Sequence, residues 1–531
     1  MIIGDISLSM EQVIEVARNN APVELSSEAR KRLNNTRALI EGSWMDDDAP
    51  LIYAFNTGVG ALKNMRIARK DIKQFQTNTI LAHATGLGDP LSVDVVRTVM
   101  LLRLNAFVSD HSGVSLPVAE RILEFLNSGL TPVIPAKGSV GASGDLAPLA
   151  HMAGAMCGFE EAEIIYQGRR MPAQEALNEA GISPTLDLQS KDASALINGS
   201  TVSLAVAVLA LWDAELITKH ADIALALSLE AMRCEKDAFI PELHAARPHP
   251  GQQLVARNVM ALVGASNRMS RSARQIPFPD ESVNPGERVQ DTYSLRCAPQ
   301  VHGPVRDALT YIHTILEREI NSATDNPLII TENNGRRAVS GGHFHGAYVA
   351  QAMDLLAISM TDIGSISERR IARLIDPNMS YGLPRNLISG TPGLNTGYAT
   401  VQCSMSALVM ENKTLSHPGS VDSIPGKGNA EDHVSNSMWC AQKASQVVGN
   451  VRSIIAAEIL MAAQGLSLVE DIANEYTLAP ATASLLSEMR QHIPARLQGD
   501  IWYAKDMDRI TELVSNGVLV DLCVSLFGGL E

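Results

Sequence analysis

Apolar positions in this chain gather into long stretches instead of alternating with polar ones. Residues 198–236, 303–321, 345–375, 398–416 and 435–465 are rich in Ala, Leu, Met and Glu, and each is too long to be a strand. They predict buried helices lying side by side, a mainly α fold built as a large bundle of roughly parallel and antiparallel helices. Near the start, Ser9-Met-Glu-Gln12 reads as a capping box, in which a serine hydroxyl and a glutamine amide satisfy backbone N–H groups at a helix entry. Short helices and loops are expected to fill the first hundred residues as a smaller mixed region. The expected division is therefore 1–110 for that region and 111–531 for the bundle. The segment 276–292, with three prolines among polar residues, predicts the clearest long loop. The most apolar span runs from Val202 to Trp212, where Asp213 and Glu215 interrupt it well short of a membrane crossing.

Composition narrows what such a bundle does. Apolar residues make up 46% and charged residues 19%, enough for a large core with no sign of general disorder. A formal charge of −15 repels phosphate backbones and anionic headgroups, which argues against nucleic acid or membrane surfaces and for a small-molecule substrate. Six scattered cysteines (Cys157, Cys234, Cys297, Cys403, Cys440, Cys523) form no CxxC pair, so neither a disulfide framework nor a zinc site is expected. His343, His345, His244 and His249 lack acidic or cysteine partners at metal-ligand spacing, and no metal is expected. The N-terminus lacks a basic region followed by an apolar run, so a cytoplasmic enzyme is the expectation.

The chemistry concentrates in GSVGASGDLAP at 138–148, where three glycines and several small residues imply close backbone approach. A phosphate loop would need GKS or GKT, and a GxSxG hydrolase would need glycine where Asp145 stands. A glycine-rich helix entry with Ser143 as N-cap is one reading. A covalent one is that the Gly144 nitrogen attacks the Ala142 carbonyl and two waters leave, one carrying the Ser143 hydroxyl oxygen. That produces a five-membered ring with an exposed methylidene carbon, an electrophile.

The segment GSVGASGDLAPLAHMAG resembles the prosthetic-group motif of the aromatic amino acid ammonia-lyase and aminomutase family. Further blocks agree in order along nearly the whole chain: YAFNTGVG at 53–60, AHATGLGDP at 82–90, INGS at 197–200, HAARPHPGQ at 244–252, QDTYSLRCAPQ at 290–300, NSATDNPL at 321–328, GGHFHG at 341–346 and ENKTLSHPGSVDS at 411–423. The resemblance implies a carbon–nitrogen lyase whose electrophile, 4-methylideneimidazole-5-one, forms from Ala142, Ser143 and Gly144 without an external cofactor. It also implies a homotetramer, since family sites draw on several subunits.

Roles carry over residue by residue. Tyr53 is the expected base for the β-hydrogen, and Arg296 the expected clamp for the substrate carboxylate. Tyr293, Gln290, Gln300 and Asn198 resemble residues that orient substrate or steady negative charge on the ring, and Phe344 one that packs against it. His83 and Glu411 match positions that hold a His and a Glu beside an imidazole, which points to members converting L-histidine to urocanate and ammonia. Departures stand at His343 (usually Asn), Ala430 (usually Gln), Val59 (usually Phe) and Thr292 (often Pro). They leave open an aminomutase, a lyase for another aromatic amino acid, an ergothionase-like trimethylamine lyase with Arg385 facing a thione, or an inactive scaffold relative.

Overall fold

The computed structural model describes residues 1–276, 288–333, 335–427, 430–469 and 475–531, so most of the proline-rich segment at 276–292 lies outside the described residues. Twenty α-helices and four small sheets of two or three strands make up the described part, a mainly α fold as the hydrophobic pattern predicts. The elements used below are α1 (Ile72–His83), β1 (Leu87–Pro90), α2 (Val93–Val108), β2 (Pro135–Lys137), α3 (Leu146–Met156), α4 (Asp192–Ile197), α5 (Thr201–Ala231), α6 (Ala298–Ile320), β3 (Leu328–Glu332), β4 (Gly335–Val339), α7 (Ala347–Leu374), α8 (Ala399–Leu415) and α9 (Ser437–Leu468). Each of the five long apolar stretches is one of α5 to α9. The expected capping box at Ser9 is present, with Gln12 N–H donating to Ser9 Oγ and Ser9 N–H to Gln12 Oε1.

One expectation needs correcting. Asp213 and Glu215 do not end the apolar span short of a membrane length: the helix expected over 198–236 runs Thr201–Ala231 and stays apolar past both, because charged residues spaced along a helix interrupt composition locally and not backbone hydrogen bonding. Helices α5 and α9 are each long and apolar enough to cross a bilayer, yet 78% of each apolar window is buried in protein, as befits core helices.

The chain divides into two compact units. The first comprises Met1–Leu209, His313–Asp354 and Pro418–Gln442. One of its cores gathers Ile40, Trp44, Met45, Phe55, Ile72 and Ile329, with Trp44 and Phe55 meeting edge to face at 5.2 Å. Ile329 comes from β3, which pairs antiparallel with β4. This core fixes the 53–60 loop, since Phe55 is fully buried and Asn56 Nδ2 donates to the carbonyls of Trp44 and Pro50.

The second unit comprises Ala210–Ile312, Leu355–His417 and Lys443–Glu531. Its interior is not purely apolar. Arg370 grips Glu458 through two bonds of 2.6 and 2.8 Å, both side chains wholly buried, and Ser228 and Ser367 donate to the same carboxylate. Asp222 is likewise buried and held by His302, Arg306 and Asn258; burial alone would raise its carboxyl, and these partners outweigh that and hold it below the usual range.

Candidate active site

The Ala142-Ser143-Gly144 segment sits in a turn immediately before α3, and its shape is imposed by neighbours. Gly144 adopts φ +72°, and a side chain there would collide with the backbone of Gly199, with which it pairs. Only glycine satisfies both constraints. The Asp145 N–H donates to the Gly199 carbonyl at 2.8 Å, and the buried Asp145 carboxylate accepts from Ser139 Oγ (2.6 Å) and from the Ser203 N–H and Oγ (2.8 and 3.0 Å). Burial pushes that carboxyl up, and the four donors from Ser139, Val202 and Ser203 oppose it. Arg103 on α2, fully buried, donates to the Asn198 carbonyl at 2.9 Å and to Thr201 Oγ1. Its guanidinium is drawn down by burial and supported by Asp325 and Asp145. The C-terminal side of the turn is thus tied to the residues that open α5.

Two other blocks clamp the turn from its opposite side. The Gly141 carbonyl accepts from Ser435 Oγ at 2.9 Å and the Gly346 N–H at 3.2 Å, while the Asn436 N–H donates to Val140 at 2.8 Å. GGHFHG and the segment after Ala430 therefore serve the backbone of this turn. His343 is exposed in that loop, and His345 stacks parallel on His433 at 5.8 Å.

A cavity of about 690 Å³ opens over Ser143, within the range of small-molecule sites. Tyr53, His83, Ser143, Asn198 and Phe344 line it together, five of the residues singled out in the sequence, with Val59 and Ala430 among the rest of the wall. Tyr53 arrives on the loop anchored by Phe55, and the Gly60 N–H donates to its hydroxyl oxygen at 3.3 Å. His83 ends α1 and donates from Nδ1 to the Thr79 carbonyl at 2.7 Å, which in the neutral ring leaves Nε2 as an acceptor. Asn198 follows α4, is 8% exposed, and donates from Nδ2 to the Ser143 carbonyl at 2.7 Å. Its Oδ1 is buried without a hydrogen-bond partner.

The sequence reading missed Glu431. Its Oε1 accepts from Ser143 Oγ at 2.5 Å and from Lys427 Nζ at 2.8 Å, and both side chains line the cavity. The signal was the acidic residue directly after the departure at Ala430, but nothing in the spacing set it opposite Ser143. Glu411 does not line this cavity. It lies exposed on α8, where Gln446 donates to it.

The remaining candidates belong to the second unit. Gln290, Tyr293 and Arg296 line a cleft of about 860 Å³ with Arg369, Arg373 and Arg385. The Arg296 guanidinium lies 4.8 Å from the Tyr293 ring and donates from Nε to the Asp291 carbonyl, while Tyr293 is 72% exposed. Gln300 lies outside that lining, on α6, with Oε1 buried and unpartnered. Among the described residues no three His, Cys, Asp or Glu side chains converge on a common point, and His244 is held by Ala238 and Gln252.

A family profile for aromatic amino acid lyases matches residues 8–491. The chain belongs to the aromatic amino acid lyase family. A histidine ammonia-lyase of Alkaliphilus oremlandii is 41% identical over 522 residues, covering 98% of this chain and 97% of its own. Among solved structures, this chain is similar to the histidine ammonia-lyase of Trypanosoma cruzi (TM-score 0.87, 35% identity, 98% of this chain and 94% of that one). It is also similar to the tyrosine aminomutase of Streptomyces globisporus (TM-score 0.89, 33% identity, 99% of this chain and 98% of that one).

The family's prosthetic ring is tested by the residues present, and they fit it. Gly144 admits no side chain, Ser143 presents its hydroxyl to the cavity, and the buried, unpartnered Oδ1 of Asn198 awaits a donor beside the Ser143 carbonyl. An ammonia-lyase is what such a site serves.

Proposed function

We propose that this chain eliminates ammonia from L-histidine to give urocanate. The observation that carries the reading is one cavity in which Ser143, Tyr53 and Asn198 stand with His83, one of the two residues matched to the imidazole side, and with Glu431, an acceptor in the place expected of Glu411. Ala142, Ser143 and Gly144 would hold the 4-methylideneimidazole-5-one, which supplies an electrophile for the substrate amine.

Everything else is done by side chains of the chain itself. Asn198 Nδ2 places a donor on the Ser143 carbonyl oxygen, where negative charge gathers when the amine is taken up. Tyr53 removes the β-proton, and its loop is rigid because Phe55 and Asn56 are locked into the core. The Glu431 carboxylate accepts the imidazole N–H, and His83 meets the other nitrogen. Arg296 pairs with the substrate carboxylate, supported by Gln290 and Tyr293. Those three line the second unit's cleft, and we place them at the cavity of another copy in a homotetramer.

The reading is tested by presenting purified enzyme with L-histidine, L-tyrosine, L-phenylalanine and ergothioneine and watching for a conjugated acrylate. Urocanate absorbance is expected with histidine. Silence with histidine at high enzyme concentration, or faster turnover of phenylalanine, overturns it.

A further inference from the structure

The contact between Glu431 and Ser143 has a use earlier than substrate binding. We propose that Glu431 is the acid that completes the prosthetic ring, delivering the proton with which the Ser143 hydroxyl departs as water. The proposal rests on the ring reading above.

The Ser143 oxygen must leave for a methylidene carbon to exist, and hydroxide is too basic to leave unassisted, so a proton donor is required at Oγ. Glu431 Oε1 stands 2.5 Å from Oγ, and the same oxygen is 2.8 Å from Lys427 Nζ. One carboxylate oxygen therefore bridges the leaving hydroxyl and an ammonium. The Glu431 side chain is 14% exposed while that of Lys427 is 49% exposed. Lys427 is therefore the member nearer solvent, and Glu431 stands between it and Ser143. Local backbone bonds hold the pair together, the Gly426 N–H donating to the Glu431 carbonyl and the Ala430 N–H to the Lys427 carbonyl.

The step balances. Ring closure joins the Gly144 nitrogen to the Ala142 carbonyl carbon and expels the first water, carrying the Ala142 oxygen. In the second stage the Ser143 Cα–H and Cβ–Oγ bonds break and a Cα=Cβ bond forms. Oγ leaves with its own proton and one from Glu431, and the Cα proton passes to water in the cavity. The proton delivered to Oγ originates on Lys427, which passes it through the Glu431 carboxylate as Oγ departs and is recharged from solvent, so Glu431 begins and ends as a carboxylate and one water is lost with no change in oxidation state. Asn198, donating to the Ser143 carbonyl, draws electron density from the same Cα and makes its proton easier to lose. Once Oγ has gone, Glu431 has lost that partner and its oxygen becomes available to a substrate imidazole.

Intact-protein mass of the purified full-length chain, with near-ultraviolet difference spectra of the conjugated ring, tests the assignment. The parent is expected two waters lighter than its translated sequence. Glu431→Gln, which keeps a hydrogen bond but has no carboxyl proton to give, is expected one water lighter and without the ring's absorbance. Glu431→Asp and Lys427→Met are expected to lose both waters, more slowly than the parent after pulse labelling. Should Glu431→Gln fail to fold by circular dichroism, the maturation rates of the other two decide, and parental rates in both overturn the proposal. A Glu431→Gln protein two waters lighter at the parental rate overturns it while leaving the ring reading intact. One with its full translated mass also overturns it, placing Glu431 before ring closure. A parent with full translated mass overturns the ring reading and this step together.

Discussion

Replacing Asn198 with alanine isolates the donor that faces the Ser143 carbonyl. The bond is 2.7 Å long from a side chain that is 8% exposed, so no solvent molecule stands ready to replace it. A preorganised donor of this kind, aimed where negative charge develops, is worth about 10²–10³ in kcat, ~3–4 kcal/mol of barrier. Its contribution to folding is smaller. One neutral hydrogen bond nets about 1 kcal/mol, and leaving the Ser143 oxygen unpaired adds no more than ~2 kcal/mol. Asn198→Ala should therefore lose two to three orders of magnitude in urocanate production at saturating histidine, with a urea midpoint only modestly lower. Intact mass must first show that the variant has lost the same two waters, because an unformed ring would imitate the effect. A ring-bearing variant whose kcat falls less than about tenfold (~1.4 kcal/mol), or whose loss lies wholly in KM, refutes the charge-stabilising role.

Gly144→Ala places a methyl against the Gly199 backbone at a left-handed φ, which costs ~1–2 kcal/mol for the conformation and about 1–3 kcal/mol for the overlap; a urea midpoint equal to the parent's would contradict it. Glu458→Leu strands the fully buried Arg370 and should destabilise by about 3–5 kcal/mol, with Glu458→Leu/Arg370→Met recovering much of the loss; a single variant within ~1 kcal/mol of the parent would sink the argument. Burial pulls His220 from 6.5 to about 4, so the folded chain keeps it neutral where the unfolded chain takes up a proton. Its contribution is complete above pH 6.5 and is lost as pH falls towards 4, worth ~3 kcal/mol, and His220→Gln should flatten that acid limb in urea titrations at several pH values. Finally, if Arg296 serves another copy's cavity as proposed, co-expressing Ser143→Ala with Arg296→Met should restore histidine turnover that neither shows alone, since mixed assemblies would contain some cavities with both groups intact; no recovery in verified mixed assemblies would refute that placement.

Periodicity and local motif content carried a good deal of this protein. Helices α5 to α9 were legible because a long apolar run longer than any strand has one way to satisfy its backbone, through i to i−4 bonds. The Ala142-Ser143-Gly144 turn was legible because glycine is required where backbones meet, a constraint that shows directly as residue type. What sequence could not assign was the company each side chain keeps across hundreds of residues. Glu431 reaches Ser143 over 288 positions, and Asn198 reaches the same residue over 55, through packing that no local pattern encodes. For the same reason Glu411, equally acidic and set in an equally suggestive block, lies on α8 with Gln446 instead of in the Ser143 cavity. Charge and hydrogen-bonding capacity belong to the residue and are read from the sequence. Which oxygen stands 2.5 Å from a leaving hydroxyl belongs to the fold, because only the simultaneous packing of distant segments fixes distances on that scale.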